Sequence, residues 1–312
     1  MTAPSVRYRS IVADSARWDG FAFRPGDVVI STPPKCGTTW TQMLCALLIF
    51  DGPELPAPLD EVSPWLDMCN RPLAEVQAVL AAQTHRRFIK THTPLDGVPL
   101  RDDVTYLVVG RDPRDVAISF EHHAANMDFE HFLELRAAAV GNDDLADLPE
   151  RRPPSDDPAE RFRTFVADES HGGPPTLASV LHHLDTGWQR RHDGNVRFLH
   201  YADLKADLAG ELLRLARILG IPCSPERARE LAPEASLARM RERGADVAPS
   251  ASHANWKDVR AFFRTGGLGE WRARLSAADL AAYEARVAEL VSPDLAAWAH
   301  GGRIASGVDP GR

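Results

Sequence analysis

Cysteine is scarce in this chain. Cys36, Cys45, Cys69 and Cys223 stand far apart in 312 residues, and no two form a C-x-x-C pair. That pattern suggests neither a disulfide framework nor a zinc site, so reduced thiols are expected. Long apolar runs are missing too. The longest, residues 43–50, is too short to span a bilayer, and the opening MTAPSVRYRS lacks the apolar core of a signal peptide. A cytoplasmic location is the expectation. Nor is there a surplus of basic residues: a net charge of −8 argues against nucleic acid as the main partner, because phosphate backbones are bound by basic surfaces. Without an H-E-x-x-H motif or clustered carboxylates, no metal is expected.

What is present reads as an ordinary globular chain, 44% apolar and 26% charged, long enough to bury a large core. Short β-rich runs at 27–31, 87–91, 105–109 and 196–200 alternate with helical patterns at 39–50, 113–123, 177–190, 204–219 and 277–290. This alternation predicts an α/β fold, a single domain with a mostly parallel central sheet flanked by helices. Residues 142–175, with Asp-Asp and Pro-Pro pairs and a Gly-Gly-Pro-Pro tract, read as a lid-like excursion within a domain covering residues 1–300. Residues 301–312 read as a polar tail.

In a doubly wound sheet, ligands collect beyond the carboxyl ends of the strands. The first such place is STPPKCGTTW, where the chain turns through Lys35, Cys36, Gly37, Thr38 and Thr39 into a helix. Free N–H groups and the positive dipole end of that helix suit a phosphate. Gly37 permits close backbone approach, the two threonines add hydroxyls, and Lys35 adds a full charge. The Walker pattern is absent, since the lysine precedes the glycine, and an ordinary capped helix is the alternative. A second place is RRFIKTHTPLDG, where Phe88, Lys90 and His92 share one side if the strand continues through them. His92 is the natural general base, its ordinary pKa lying near neutrality; a structural histidine is the alternative.

The third place is VVGRDPRDVAIS. Arg111 ends a strand, Asp112 caps the next helix with Pro113 in its first turn, and Ser119 returns to the cap's face two turns later. Arg111 and Ser119 then suit one phosphate, the alternative for Arg111 being a pair with Asp115. Far downstream, FFRTGGLGEW sets Arg264 beside Gly266, Gly267 and Gly269, a backbone nest or a plain loop. The adjacent pairs His122-His123 and His182-His183 point to different sides of a helix, which favours surface or core placement over metal ligation.

Taken together, KCGTTW, KTH, GRDPRDVAIS and FRTGGLGEW, in this order and over most of the chain, resemble the sulfotransferases that use 3′-phosphoadenosine 5′-phosphosulfate (PAPS). The resemblance implies a sulfotransferase fold in which Lys35, Cys36, Gly37, Thr38 and Thr39 hold the 5′-phosphosulfate and Trp40 lies against the adenine. It further implies that Arg111, Ser119, Arg264 and the backbone at Gly266 hold the 3′-phosphate and that Tyr201 reaches the adenine. Catalysis would fall to His92 as base, with Lys35 and Lys90 neutralising charge and Ser119 restraining Lys35 until the acceptor arrives. Adenosine 3′,5′-bisphosphate (PAP) is the implied product, and no metal takes part.

Three positions depart from the family pattern: Cys36 replaces a serine, Thr265 a lysine in the 3′-phosphate site, and Leu237 an adenine-stacking phenylalanine. Weaker donor affinity is the implied consequence. A family dimerisation motif is poorly matched by RARLSAADLA, so no oligomeric state is assigned. Closer still, DGPELPAPL, VSPWLDM, HRRFIKTHTPLDG, ANM, YADLKADLAGELLR and PDLAAWAHGGR resemble actinobacterial glycolipid sulfotransferases. That resemblance implies a lipid-linked sugar hydroxyl as acceptor, with peripheral access to lipid and with Trp65, Leu66 and Met68 in the acceptor pocket. A phenolic or steroid-like acceptor, a kinase of similar fold and a non-catalytic nucleotide-binding module are the competing readings.

Overall fold

Strands β1 (Val28–Ser31), β2 (Phe88–Thr91), β3 (Thr105–Gly110) and β4 (Val196–His200) pair in parallel in the order β2-β1-β3-β4. The computed structural model describes residues 2–147, 154–249 and 255–311. The strand sequences are rich in β-branched and aromatic residues and almost wholly buried, as expected of a parallel sheet covered on both faces.

Alternation along each strand divides the core. Val28, Ile30, Phe88, Leu107, Val109 and Leu199 face one layer, formed by helix α1 (Thr38–Ile49) and a later amphipathic helix, Leu208–Leu219. Val29, Ile89, Tyr106, Val108 and Phe198 face the other. Packed there are α2 (Leu73–Ala82), Phe162 and Phe165 of Pro158–Ala167, the helix Leu177–Trp188, and the two C-terminal helices Ala277–Leu290 and Pro293–Ser306. Crossover connections place every loop after a β-strand on one edge, where Lys35, His92, Arg111 and Tyr201 follow the four strands.

The sheet agrees with the expected strands to within a residue at each end. Helices differ more. Residues 204–219 are not one helix: Asp207 adopts an extended φ of −148° and caps the second segment by accepting from the Gly210 amide at 2.9 Å, so the chain breaks into Tyr201–Ala206 and Leu208–Leu219. Within the excursion at 142–175, Asp157 caps and Pro158 starts a helix that buries Phe162 and Phe165. Residues 148–153 of that excursion lie outside the described residues. The expected tail begins inside a helix, since Pro293–Ser306 continues past residue 301 through a bend at Gly302, and Pro310 is buried. No described helix is long and apolar enough to cross a membrane.

Candidate active site

At the carboxyl edge, β1 leads into the turn before α1. Lys35 takes a left-handed φ of 67°, and Gly37, at the helix N-cap, has φ 98°. A side chain at Gly37 would meet the Tyr201 ring at 3.0 Å, and one at Gly266 (φ 60°) would meet the Tyr201 hydroxyl and Leu237 at 3.1 Å. Tyr201 therefore sits between the two glycine-containing loops, with Trp40 edge-on at 5.2 Å and the Arg111 guanidinium 4.3 Å from its ring centre. Arg111 ties those loops together, donating to the Lys35 carbonyl and to the Gly267 carbonyl at 3.0 Å each. Its Nε is buried with no hydrogen-bond partner among the described residues. The alternative pairing with Asp115 is not made: Asp115 accepts from the Gly269 amide at 2.8 Å.

Several expected residues thus come together from four segments distant in sequence. Thr38 and Thr39 form the buried first turn of α1, and Thr38 shares a 2.5 Å hydroxyl contact with Thr32. Cys36 points into the core, where burial pushes its thiol up to about 12, so it is an inert packing residue. Arg264 forms a 2.5 Å ion pair with Glu270, which also accepts from Thr265 at 2.6 Å. An anion at Arg264 must share or displace that carboxylate.

Helix α3 (Pro113–Asn126) starts at Asp112, whose side chain accepts from the Arg114 amide at 3.0 Å. It carries Ser119, half-buried, and one turn later His123. Lys35 Nζ donates to His123 Nδ1 at 3.2 Å and lies 4.6 Å from the Phe262 ring centre. Lys35 and His92 are half-buried, with protein dense around them. Burial, then the charges of Arg111, Lys90 and Arg264, push the Lys35 ammonium down to about 7. Burial likewise brings Lys90, 4.2 Å from the Trp65 ring centre, down to about 8.

His92 lies beyond the end of β2, so strand alternation through Phe88 and Lys90 does not set its direction. A hydrogen bond does: Nδ1 donates to the Thr32 carbonyl at 2.7 Å. Because a carbonyl only accepts, Nδ1 carries the hydrogen and Nε2 keeps its lone pair in the neutral ring. Burial, then the Lys90 charge, hold the imidazole well below its ordinary range, hence neutral at pH 7. The flanking threonines are clamped by Asp67, whose Oδ2 accepts from Thr91 and Thr93 at 2.6 Å each and from the Trp18 indole at 3.1 Å. Trp65 meets the His92 ring edge-on at 4.6 Å.

Trp65, Met68 and Lys90 line a small cleft together with Gln42, Ser63 and Asn70. Leu66, expected in the same pocket, is fully buried in the core instead. Thr32, Asp67 and His123 escaped sequence reasoning. The T-H-T alternation hinted at paired threonines opposite His92, and the spacing of Ser119 and His123 at one helical turn was legible, but neither signal named a partner.

Residues 25–292 match the family model described as a sulfotransferase domain. Glycolipid sulfotransferases from Mycobacterium bovis and Mycobacterium tuberculosis are each 48% identical to this chain, over 98% of it and 96% of their own length. Among solved structures, retinol dehydratase in complex with retinol and PAP superimposes with a TM-score of 0.67 at 25% identity, covering 89% of this chain and 85% of its own. A mouse sulfotransferase complexed with PAP gives 0.62 at 20% identity over 88% of each chain, a likeness of fold. With its parallel sheet, strand-edge loops and near-complete match to these relatives, the chain belongs to the sulfotransferase family.

Proposed function

We propose that this sulfotransferase moves a sulfuryl group from PAPS to a hydroxyl of a glycolipid, with His92 as general base. The observation that carries the reading is His92, its Nδ1 pinned to Thr32 so that Nε2 keeps the lone pair, near two lysines whose charge is destabilised by burial and, at Lys35, by neighbouring cations. Such a set favours an anion in contact with the lysines. The cradle of Gly37, Tyr201 and Gly266, with the unpartnered Nε of Arg111, suits an adenosine bisphosphate spanning the two loops. PAPS supplies the activated sulfuryl group. His92 Nε2 takes the acceptor's proton as the new S–O bond forms, and Lys35 and Lys90 neutralise the oxygen that leaves with PAP. Fixed positive charge does most of the work, as in phosphoryl transfer. Ser119, on the same face of α3 as His123, is assigned to the 3′-phosphate.

The acceptor assignment rests on the cleft and on the names of the mycobacterial relatives. Gln42, Ser63, Asn70 and Lys90 line it with polar groups, and the buried Trp65 indole N–H has no partner among the described residues. A polyhydroxylated headgroup satisfies such a wall better than a steroid does. Incubation with sulfur-labelled PAPS and a panel of lipid-linked sugars, free sugars, phenols and steroids tests this. Label is expected on the lipid-linked sugars. Label only on phenols or steroids would refute the acceptor, transfer from ATP rather than PAPS would refute the donor, and PAP binding without transfer to any hydroxyl would favour a binding module.

A further inference from the structure

His123 lies outside every motif that suggested the activity, yet it is the hydrogen-bond partner of the Lys35 ammonium. We propose that His123 is a positioning residue that keeps Lys35 protonated and aimed in the donor-free site, a proposal that rests on the reading of the Lys35 loop as the donor site.

The geometry is fixed from both sides. Residues 255–263 cross the end of α3: the Asn126 side chain donates to the Asp258 carbonyl at 2.8 Å and accepts from its amide at 3.0 Å, and the Lys257 amide donates to the Asn126 carbonyl at 2.9 Å. That crossing brings Trp256 to 4.9 Å and Phe262 to 6.0 Å from the His123 ring, with Phe120 at 5.7 Å on its own helix. Boxed by three aromatic rings, the imidazole cannot swing away from Lys35 without disturbing packing. Its surroundings also keep it neutral, because burial and then the charges of Lys35 and Lys90 hold it well below its ordinary range. A neutral ring that presents Nδ1 can only accept from the ammonium.

The charged groups facing Lys35 make that acceptor matter. Arg111 at the end of β3, Lys90 on β2 and Arg264 from the glycine-rich loop all oppose its proton, and the neighbouring Cys36, which burial keeps a neutral thiol, offers little against them. Among the described residues, the Phe262 face and His123 Nδ1 stabilise the cation. Without His123 the donor would meet a neutral amine over more of the pH range.

PAP affinity measured by calorimetry across pH 5.5 to 9 tests the proposal on the full chain. Wild-type affinity is expected to fall as pH rises through the value of free Lys35, about 7. His123→Phe and His123→Leu, two apolar replacements of different shape, should move that fall down by about one unit and so weaken PAP about tenfold above neutrality. His123→Gln, which restores an acceptor, should keep the wild-type midpoint. The nucleotide's own ionisation is common to all four proteins and cancels. An unmoved midpoint in both apolar variants, or an equal shift in His123→Gln, overturns the role of His123. Absence of PAP binding by the wild type at every pH overturns the donor site itself and this proposal with it.

Discussion

His92 must be neutral to take a proton, and Lys35 and Lys90 must be charged to hold an anion. Their surroundings set opposite limits on pH. Burial depresses the imidazole, so its protonation, and the acid loss of kcat/KM, should come well below the ordinary histidine value. Burial also depresses the lysines, to about 7 and about 8, so the alkaline loss of kcat/KM should begin near neutrality in the free enzyme. A bound anion favours the charged amines and raises their pKa, which moves the alkaline limb of kcat upward relative to that of kcat/KM. Rate profiles from pH 5 to 10 check both directions. Coincident alkaline limbs would mean that neither lysine faces the donor.

Elements hold these residues through contacts between distant stretches of chain. Asp67 is fully buried and clamps Thr91 and Thr93 on either side of His92. Asp67→Ala would leave three donors unsatisfied and is expected to destabilise the fold by roughly 2–4 kcal/mol, measured by urea unfolding, with a fall in kcat among the molecules that remain folded. Gly37 works differently. Its φ of 98° is strained for any side chain and a Cβ there would crowd the Tyr201 ring, so Gly37→Ala should cost about 1–2 kcal/mol of stability and weaken PAP binding. An unchanged PAP affinity would show that the turn does not cradle the nucleotide.

These cases show what was legible in the sequence and what was not. The four strands and the loops after β1 and β3 were legible because buried β-branched runs and glycine beside lysine or arginine are local signals. The helices at Leu73–Ala82, Phe129–Val140 and Pro158–Ala167 were not, because their alanine- and charge-rich sequences gain order chiefly by packing against partners elsewhere in the chain. Thr32, Asp67 and His123 were hidden for a related reason. Each acts through a single hydrogen bond or clamp across the fold, and such pairings leave no periodicity to read. Leu66 shows the converse, a residue in the right segment whose side chain turns into the core.

On the scale of the whole molecule, the sheet joins two cores and its carboxyl edge gathers four cations on a chain with net charge −8. Arg111 is the link, since its guanidinium holds the Lys35 and Gly267 loops at once. PAP at a hundred times its Kd should therefore stabilise the wild type against unfolding by about 2.7 kcal/mol. Arg111→Lys, which cannot make both carbonyl bonds in the same planar fork, should lose most of that stabilisation at the same PAP concentration. Equal ligand-induced shifts in melting temperature for the two proteins would separate the tie between loops from nucleotide binding.

The most direct test of the central claim is single-turnover transfer of labelled sulfuryl from PAPS to a lipid-linked sugar by the wild type and by His92→Gln, with PAP affinity measured in parallel. A rate loss of about 10²–10⁴-fold with PAP affinity unchanged is the predicted result. A rate within a few-fold of the wild type, or a loss that merely tracks weaker PAP binding, would contradict the assignment of His92 as the base.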